Sequence, residues 1–359
     1  MPLLQSPVSP MGSDTVMPRL ARLAAGLCAA ALSSLALAQG APAGAVGPQA
    51  VQSGERSISQ WLTRMHEASR HGSYVGTFVV SSATGGLSSS RIWHVCDGAQ
   101  QVERVDALTG APRSTFRHND RVVTFLPQSG LVLQERRDSL RLFSDLLQHE
   151  DAAIADFYSV RLVGSERVAG VSAQVLLLEP HDRMRFGYRV WSETASGLVV
   201  KLQTLDPDGR TLEQAAFSDL QLNARVNRDQ LIEAMGRTQG YRVQRLEPVP
   251  TSASAQGWVL KPTVPGFKLM SCVRRSFSSP HAQGDAAAGA VQWILSDGLA
   301  SVSLFVEPLE RQGPGREVSM VMGATHLLSR RVQDAWLTVV GEVPQQTLQA
   351  LSLSLERAR

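Results

Sequence analysis

Apolar and polar side chains alternate with a period of two through most of this sequence, and the alternation lays out a series of β-strands. Tyr74, Gly76, Phe78 and Val80 face one way and Val75, Thr77 and Val79 the other; Ile92, His94 and Cys96 oppose Arg91, Trp93 and Val95 in the same manner. Short strands follow at Gln101 to Val105, Ser114 to His118, Arg121 to Leu126 and Leu131 to Glu135. Turn residues separate them at Asp97-Gly98, Thr109-Gly110, Asn119-Asp120 and Ser129-Gly130. Regular spacing of this kind predicts an antiparallel sheet or barrel. Val160 to Val163 and Val171 to Leu178 form a hairpin leading into a three-strand meander from Arg185 to Leu222. Its first strand sets Phe186, Tyr188 and Val190 against Gly187, Arg189 and Trp191, the pattern of a half-buried strand. Its turns are Thr194 to Gly197 and Asp206-Pro207-Asp208-Gly209, where proline fixes φ and glycine permits φ > 0.

The period changes in a few places. Ile58, Trp61, Leu62, Met65 and Ala68 recur at helical spacing after Ser57, and Gly72 ends the run. Leu140 to Tyr158 and part of Asn223 to Glu247 read as helical, and Pro248 to Gln256 reads as a linker by composition. Beyond Gly257 come strands at Phe267 to Phe277, Val291 to Leu295 and Leu299 to Val306, with Asp297-Gly298 as a hairpin turn. Val318 to Met322, His326 to Val332 and Trp336 to Val340 add three more. Pro344 opens a final helix with Leu348, Leu351 and Leu355 on one face. The expected fold is α+β: a large N-terminal curved antiparallel sheet with covering helices over 57–222, a helical segment and linker over 223–256, and a small C-terminal α+β domain over 257–359.

Composition adds the compartment. Arg19 and Arg22 precede an apolar run from Leu23 to Leu37, and Ala36-Leu37-Ala38 before Gln39 has the small residues of a cleavage site. Residues 1–38 are therefore expected to be a secretory signal peptide, with Met17 as an alternative start. Residues 39–56, rich in Ala, Gly and Pro, are expected to be a disordered lead-in. The formal charge of +3 balances 35 basic against 32 acidic residues without a Lys/Arg block, which argues against nucleic acid. Cys28 leaves with the signal peptide. Cys96 and Cys272 remain, as one disulfide or, the favoured reading, two buried thiols.

Motifs for chemistry are few. There is no G-x-S-x-G, C-x-x-C, P-loop or G-x-G-x-x-G, and no cofactor is expected. His66 and His71 are five residues apart, so a helix points them away from each other and a zinc site is not expected. Arg210 and Thr211 stand where a calcium loop after Asp206 needs an oxygen ligand and glycine. Arg136, Arg137 and Arg141, and Arg183, Arg185 and Arg189, fit either a solvated polar face or a site for anionic headgroups or an acidic partner.

RFGYRVWSETASGLVVKLQTLDPDGRTLEQAAFSDL and WLTRMHEASRHGSYVGTFVV resemble the RseB/MucB family, periplasmic regulators of the envelope-stress sigma factor (sigma E, AlgU). VPGFKLMSC, SDGLASVSLFVEPL, GATHLLSRRV and LTVVGEVPQQTL resemble that family's C-terminal signature. One departure is Ser192-Glu193 in place of an aliphatic residue and Asp. The resemblance implies a large domain similar to the lipoprotein carriers LolA and LolB, with an apolar cavity, and a small domain that helps to bind the periplasmic part of a membrane anti-sigma factor. It implies that the complex shields the anti-sigma factor from the site-1 protease and that lipopolysaccharide or another lipid weakens it. Trp61, Met65, Phe78, Trp93, Phe125 and Tyr188 are the candidate cavity residues, and Phe305, His326 and Arg330 the candidate partner surface. A lipid or lipoprotein carrier and, in another class, a secreted hydrolase are the rival functions; a homo-oligomer stays open.

Overall fold

The computed structural model describes residues 56–98, 100–136, 152–246, 248–261, 263–275, 290–309 and 317–358. The expected signal peptide and lead-in, most of the expected helix from Leu140, and Arg137 and Arg141 lie outside the described residues.

Helix α1, Ile58–Arg70, starts where the sequence places it. Ser57 accepts a hydrogen bond from the Gln60 N–H while the Gln60 side chain takes the Ser57 N–H, a capping box worth about 1 kcal/mol. Six strands then follow in a meander: β1 Gly72–Ser82, β2 Leu87–Cys96, β3 Gln101–Ala107, β4 Ser114–His118, β5 Arg121–Leu126 and β6 Leu131–Arg136. A second meander contains β7 Tyr158–Val168, β8 Val171–Pro180, β9 Gly187–Glu193, β10 Val199–Leu205 and β11 Thr211–Leu222. Its last strand pairs antiparallel with β1, the first strand of the other meander, so the two fuse into one sheet.

The sheet continues past Leu222. After helix α2, Arg228–Gly236, strand β12, Arg242–Leu246, pairs parallel with β6 at the edge and completes a twelve-stranded sheet. The segment expected to be helical up to Glu247 therefore divides. Gly236 ends the helix, and Val243 is an exposed edge residue, too weak an alternation to reveal a strand. Ala152–Asp156 is a single 3-10 turn before β7.

The small sheet has seven strands: β13 Val249–Pro250, β15 Lys268–Arg275, β16 Ala290–Ser296, β17 Ser301–Pro308, β18 Val318–Met322, β19 Thr325–Val332 and β20 Ala335–Gly341. Their order is β13-β15-β16-β17-β20-β19-β18. Part of the expected linker is thus a sheet edge, β13. Helix α3, Gln345–Ser352, begins after Pro344 and packs Leu348 and Leu351 onto the sheet. Leu355, expected on that helix, instead opens strand β21, Leu355–Arg357, which pairs with β14, Trp258–Leu260; its side chain still enters the same core.

Burial explains which faces matter. Helix α1 packs Ile58, Trp61, Leu62 and Met65 against Leu176, Leu178, Tyr188, Val190 and Val199. Helix α2 packs Met235 against Phe116, Val123, Phe125 and Val132. Strand β9 departs from the half-buried expectation, because Gly187 and Trp191 are buried along with Tyr188 and Val190. A central strand covered on both faces loses the solvent face that its alternation suggests. Ser192 and Glu193, the departure from the family pattern, build the turn to β10. Ser192 donates to the Gly197 carbonyl, and the Glu193 carboxylate accepts from the Ala195 and Ser196 N–H groups. Cys96 and Cys272 are unbonded thiols in different sheets.

Candidate functional site at the junction of the two sheets

Between β8 and β9 the chain crosses the junction of the two sheets through Asp182, Arg183, Met184, Arg185 and Phe186. Arg185 is fully buried, side chain included. Its Nη1 donates to Asp297 Oδ2 at 2.8 Å, its Nε to Asp182 Oδ2 at 3.2 Å, and its Nη2 to the Pro265 carbonyl. The guanidinium plane lies over Phe157 at 4.2 Å and Phe267 at 5.4 Å from the ring centroids. Asp182 and Phe157 belong to the large domain, Asp297, Pro265 and Phe267 to the small one.

Asp297 is as completely enclosed. Its Oδ1 accepts from the Leu299 and Ala300 N–H groups at 2.9 and 2.7 Å, which forms the β16–β17 turn, and its Oδ2 accepts from Arg185 and from Tyr158 Oη at 3.1 Å. Burial, then the Asp297 charge, holds the Tyr158 phenol well above its ordinary range, so it stays a donor. A buried ion pair is tolerated only when its lone pairs and protons are used, and here four donors meet one carboxylate. This arrangement ties one domain to the other.

Apolar and polar contacts surround the pair. Leu299 joins the α1 cluster of the large domain, and Met184 joins the small domain's core. Thr347 Oγ1 donates to the Met184 carbonyl at 2.6 Å, and Gln346 Nε2 to that of Arg183 at 2.5 Å. Gly266 has φ +86, and a Cβ there would stand 2.7 Å from the Phe157 ring. Gly266→Ala is expected to cost about 1–3 kcal/mol through φ strain and a displaced Phe157, read as a lower urea midpoint at unchanged m-value.

A second polar constellation lies within the large sheet. The register sets Tyr74, His94, Glu103 and Arg117 opposite one another across β1 to β4, and all four are buried. His94 Nδ1 is 2.8 Å from Glu103 Oε1, and its ring stacks on Tyr74 at 4.7 Å. A slip of one residue would turn this row to the other face, so the row helps to fix the strand register.

The candidate cavity residues do not meet at one place. Trp61, Met65 and Tyr188 share the cluster under α1, Phe78 belongs to a neighbouring cluster with Tyr74, Ile92 and Phe217, and Phe125 lies under α2. Trp93 is half-buried between Arg91 and Arg104, with their guanidinium carbons 5.5 and 5.2 Å from its ring. Of the candidate partner residues, Phe305 is half-buried on β17, and Arg330 on β19 reaches Ser352 Oγ at 3.4 Å. His326 sits at the junction, edge-on to Phe186 at 5.7 Å. Of the arginines read as a surface group, Arg183 is exposed beside Asp208, Arg189 is half-buried beside Gln203, and Arg185 is the buried centre of the junction. Sequence reasoning missed that role, and that of Asp297. The available signal was a carboxylate in a hairpin turn flanked by Leu295, Leu299 and Ala300.

Comparison with known proteins covers both domains. The sequence model of the MucB/RseB N-terminal domain matches residues 57–235, and that of the MucB/RseB C-terminal domain matches residues 252–356. The Sigma factor AlgU regulatory protein MucB of Pseudomonas aeruginosa is 34% identical over 83% of this chain and 90% of its own length. The Sigma-E factor regulatory protein RseB of Escherichia coli is 25% identical over 82% of this chain and 89% of its own. A crystal structure of MucB in complex with MucA(peri) matches with a TM-score of 0.63 at 29% identity, covering 84% of this chain and 99% of that one. A crystal structure of MucB alone matches with a TM-score of 0.57 at the same identity, covering 83% and 97%.

Proposed function

The chain belongs to the MucB/RseB family, and from that premise we propose that it works in the periplasm as a negative regulator of an envelope-stress sigma factor. It does so by binding the periplasmic domain of a membrane-bound anti-sigma factor. The observation that carries this reading is the match of both domains, in one chain, to MucB solved with MucA(peri). The relatives are regulatory proteins, and the junction described above is built to hold two domains in register. No chemistry on a substrate is required.

The finer reading extends this role. Residues 1–38 export the protein and are removed. Bound to its partner, the protein shields the anti-sigma factor from the site-1 protease. A lipid such as lipopolysaccharide that binds the free regulator better than the complex shifts the population toward release. The apolar residues Trp61, Met65 and Tyr188, already gathered under α1, are the first place to look for that lipid, and Phe305, His326 and Arg330 for the partner.

Capture of the purified protein by the immobilised periplasmic segment of its host's anti-sigma factor, with and without lipopolysaccharide, tests both levels. Binding that lipopolysaccharide weakens is the expected result. No binding in either condition overturns the regulator reading, and binding that lipopolysaccharide leaves unchanged overturns the lipid-sensing part alone. Arg330→Ala is expected to weaken capture about tenfold, roughly the 1.4 kcal/mol of one interface contact, at an unchanged melting temperature.

A further inference from the structure

The junction that Arg185 and Asp297 close also holds charges that oppose its closure. Glu213, on β11 of the large sheet, is half-buried against the β18–β19 turn of the small sheet, where its carboxylate accepts the Ala324 N–H. One of its oxygens lies 2.9 Å from the place a Cβ on Gly323 would occupy, with Ser82 Cβ at 3.0 Å, so the turn sits directly on β1 and β11. Glu342, between β20 and α3, faces the same carboxylate. Burial first, then Glu342, pushes the Glu213 carboxyl up to about 7.

Other titratable groups face this spot. His326 on β19 lies against Phe186, and burial lowers its pKa from the ordinary range. Tyr188 on β9 is fully buried; burial, then Glu342 and Asp297, keeps its phenol protonated. The arginines at the β10–β11 turn, Arg210 within it and Arg183 from the β8–β9 crossing, are occupied elsewhere. Arg210 bonds Asp206 at 2.8 Å, and Arg183 lies 3.6 Å from Asp208, both on the surface.

We propose that the junction is a proton-dependent latch, in which protonation at the Glu213–Glu342 face holds the two domains docked and loss of that proton loosens them. A carboxyl that binds its proton more tightly when docked stabilises docking at low pH. That stabilisation disappears as the pH rises from the ordinary carboxylate range to about 7 and changes little above it. His326 acts in the opposite sense, because a histidine whose pKa is lowered by docking weakens it as the pH falls through the ordinary histidine range. The latch therefore holds best in mild acid and loosens chiefly between mild acid and neutral pH. Any consequence for the anti-sigma factor rests on the function proposed above. The latch itself does not, and it is tested on the free protein.

Amide hydrogen exchange compares the wild type with Glu213→Gln at one pH at a time, which cancels the intrinsic pH dependence of exchange. It is read at Met184 to Phe186 and at Gly298-Leu299, across the junction from the Ala324 N–H that Glu213 itself bonds. At about pH 8 the variant is expected to exchange about tenfold more slowly there, the factor carried by one pKa unit, while at about pH 5 the two proteins agree. Glu342→Gln removes the repulsion from the other side and is expected to give the same pattern with Glu213 intact. Equal exchange at pH 8 in both variants and wild type, or the same factor at both pH values, overturns the proposal.

Discussion

Arg185→Ala is expected to lower the stability of the protein by about 3–5 kcal/mol, because it leaves Asp297 charged, enclosed and short of its strongest donor. Two losses combine. The carboxylate keeps its backbone N–H groups and Tyr158 but loses a charge-assisted bond of 2.8 Å, and Phe157 and Phe267 lose the cation between them. Urea unfolding should then separate into two transitions, since the pair links two domains that each have their own core. The double variant Arg185→Met with Asp297→Leu should recover part of the loss, because removing both partners leaves no buried charge. A single wild-type-like transition in Arg185→Ala would show that the apolar contacts at Leu299 and Met184 alone hold the domains together. Salt should have little effect on any of these values, since neither partner is open to solvent.

Trp293→Ala is expected to cost about 3–5 kcal/mol and to act on the small domain alone. Trp293 is fully buried at the centre of β16, surrounded by a core to which β17, β20 and α3 contribute Leu304, Leu337, Val339 and Leu348. Its indole Nε1 has no hydrogen-bond partner among the described residues, so the loss is one of packing and cavity formation rather than of a polar contact. In the Arg185→Ala background, where the two transitions are separated, guanidinium unfolding should move the small-domain transition to lower concentration and leave the large-domain transition in place. Trp293→Phe, which keeps most of the volume, should cost less than half as much. If both transitions move together, the small domain is coupled to the large one more tightly than the junction contacts imply.

The two residues differ in how readily the sequence shows their roles. Trp293 lies in the strand-like stretch from Val291 to Leu295, on one face with those two apolar residues, and its burial follows from local pattern. Arg185 sits in a stretch with two other arginines and an aspartate, a composition that ordinarily marks a solvated surface. Its partner lies 112 residues away, and no local period encodes that distance. Glu213 is similar: on β11 its charge would ordinarily mark a solvated position, and the β18–β19 turn of another domain descends onto it. The candidate cavity residues show the same limit. Helical and strand periods identified Trp61, Met65 and Tyr188 as inward-facing, and they share one cluster, while Phe125 faces inward under a different helix.

Local chemistry was sufficient for most of the elements. The capping box at Ser57, the proline and glycine of the Asp206 to Gly209 turn, and the period of two through both meanders act over a few residues, so they can be read directly from the chain. The motifs in both domains likewise placed it with its relatives. Tertiary structure alone decided the pairing of β1 with β11, the parallel edge strand β12, the covering of β9 on both faces and the enclosure of Arg185. Each of these depends on which distant segment lies alongside. Burial, and with it the energy of a charge or a face, is a property of that neighbour rather than of the residue itself.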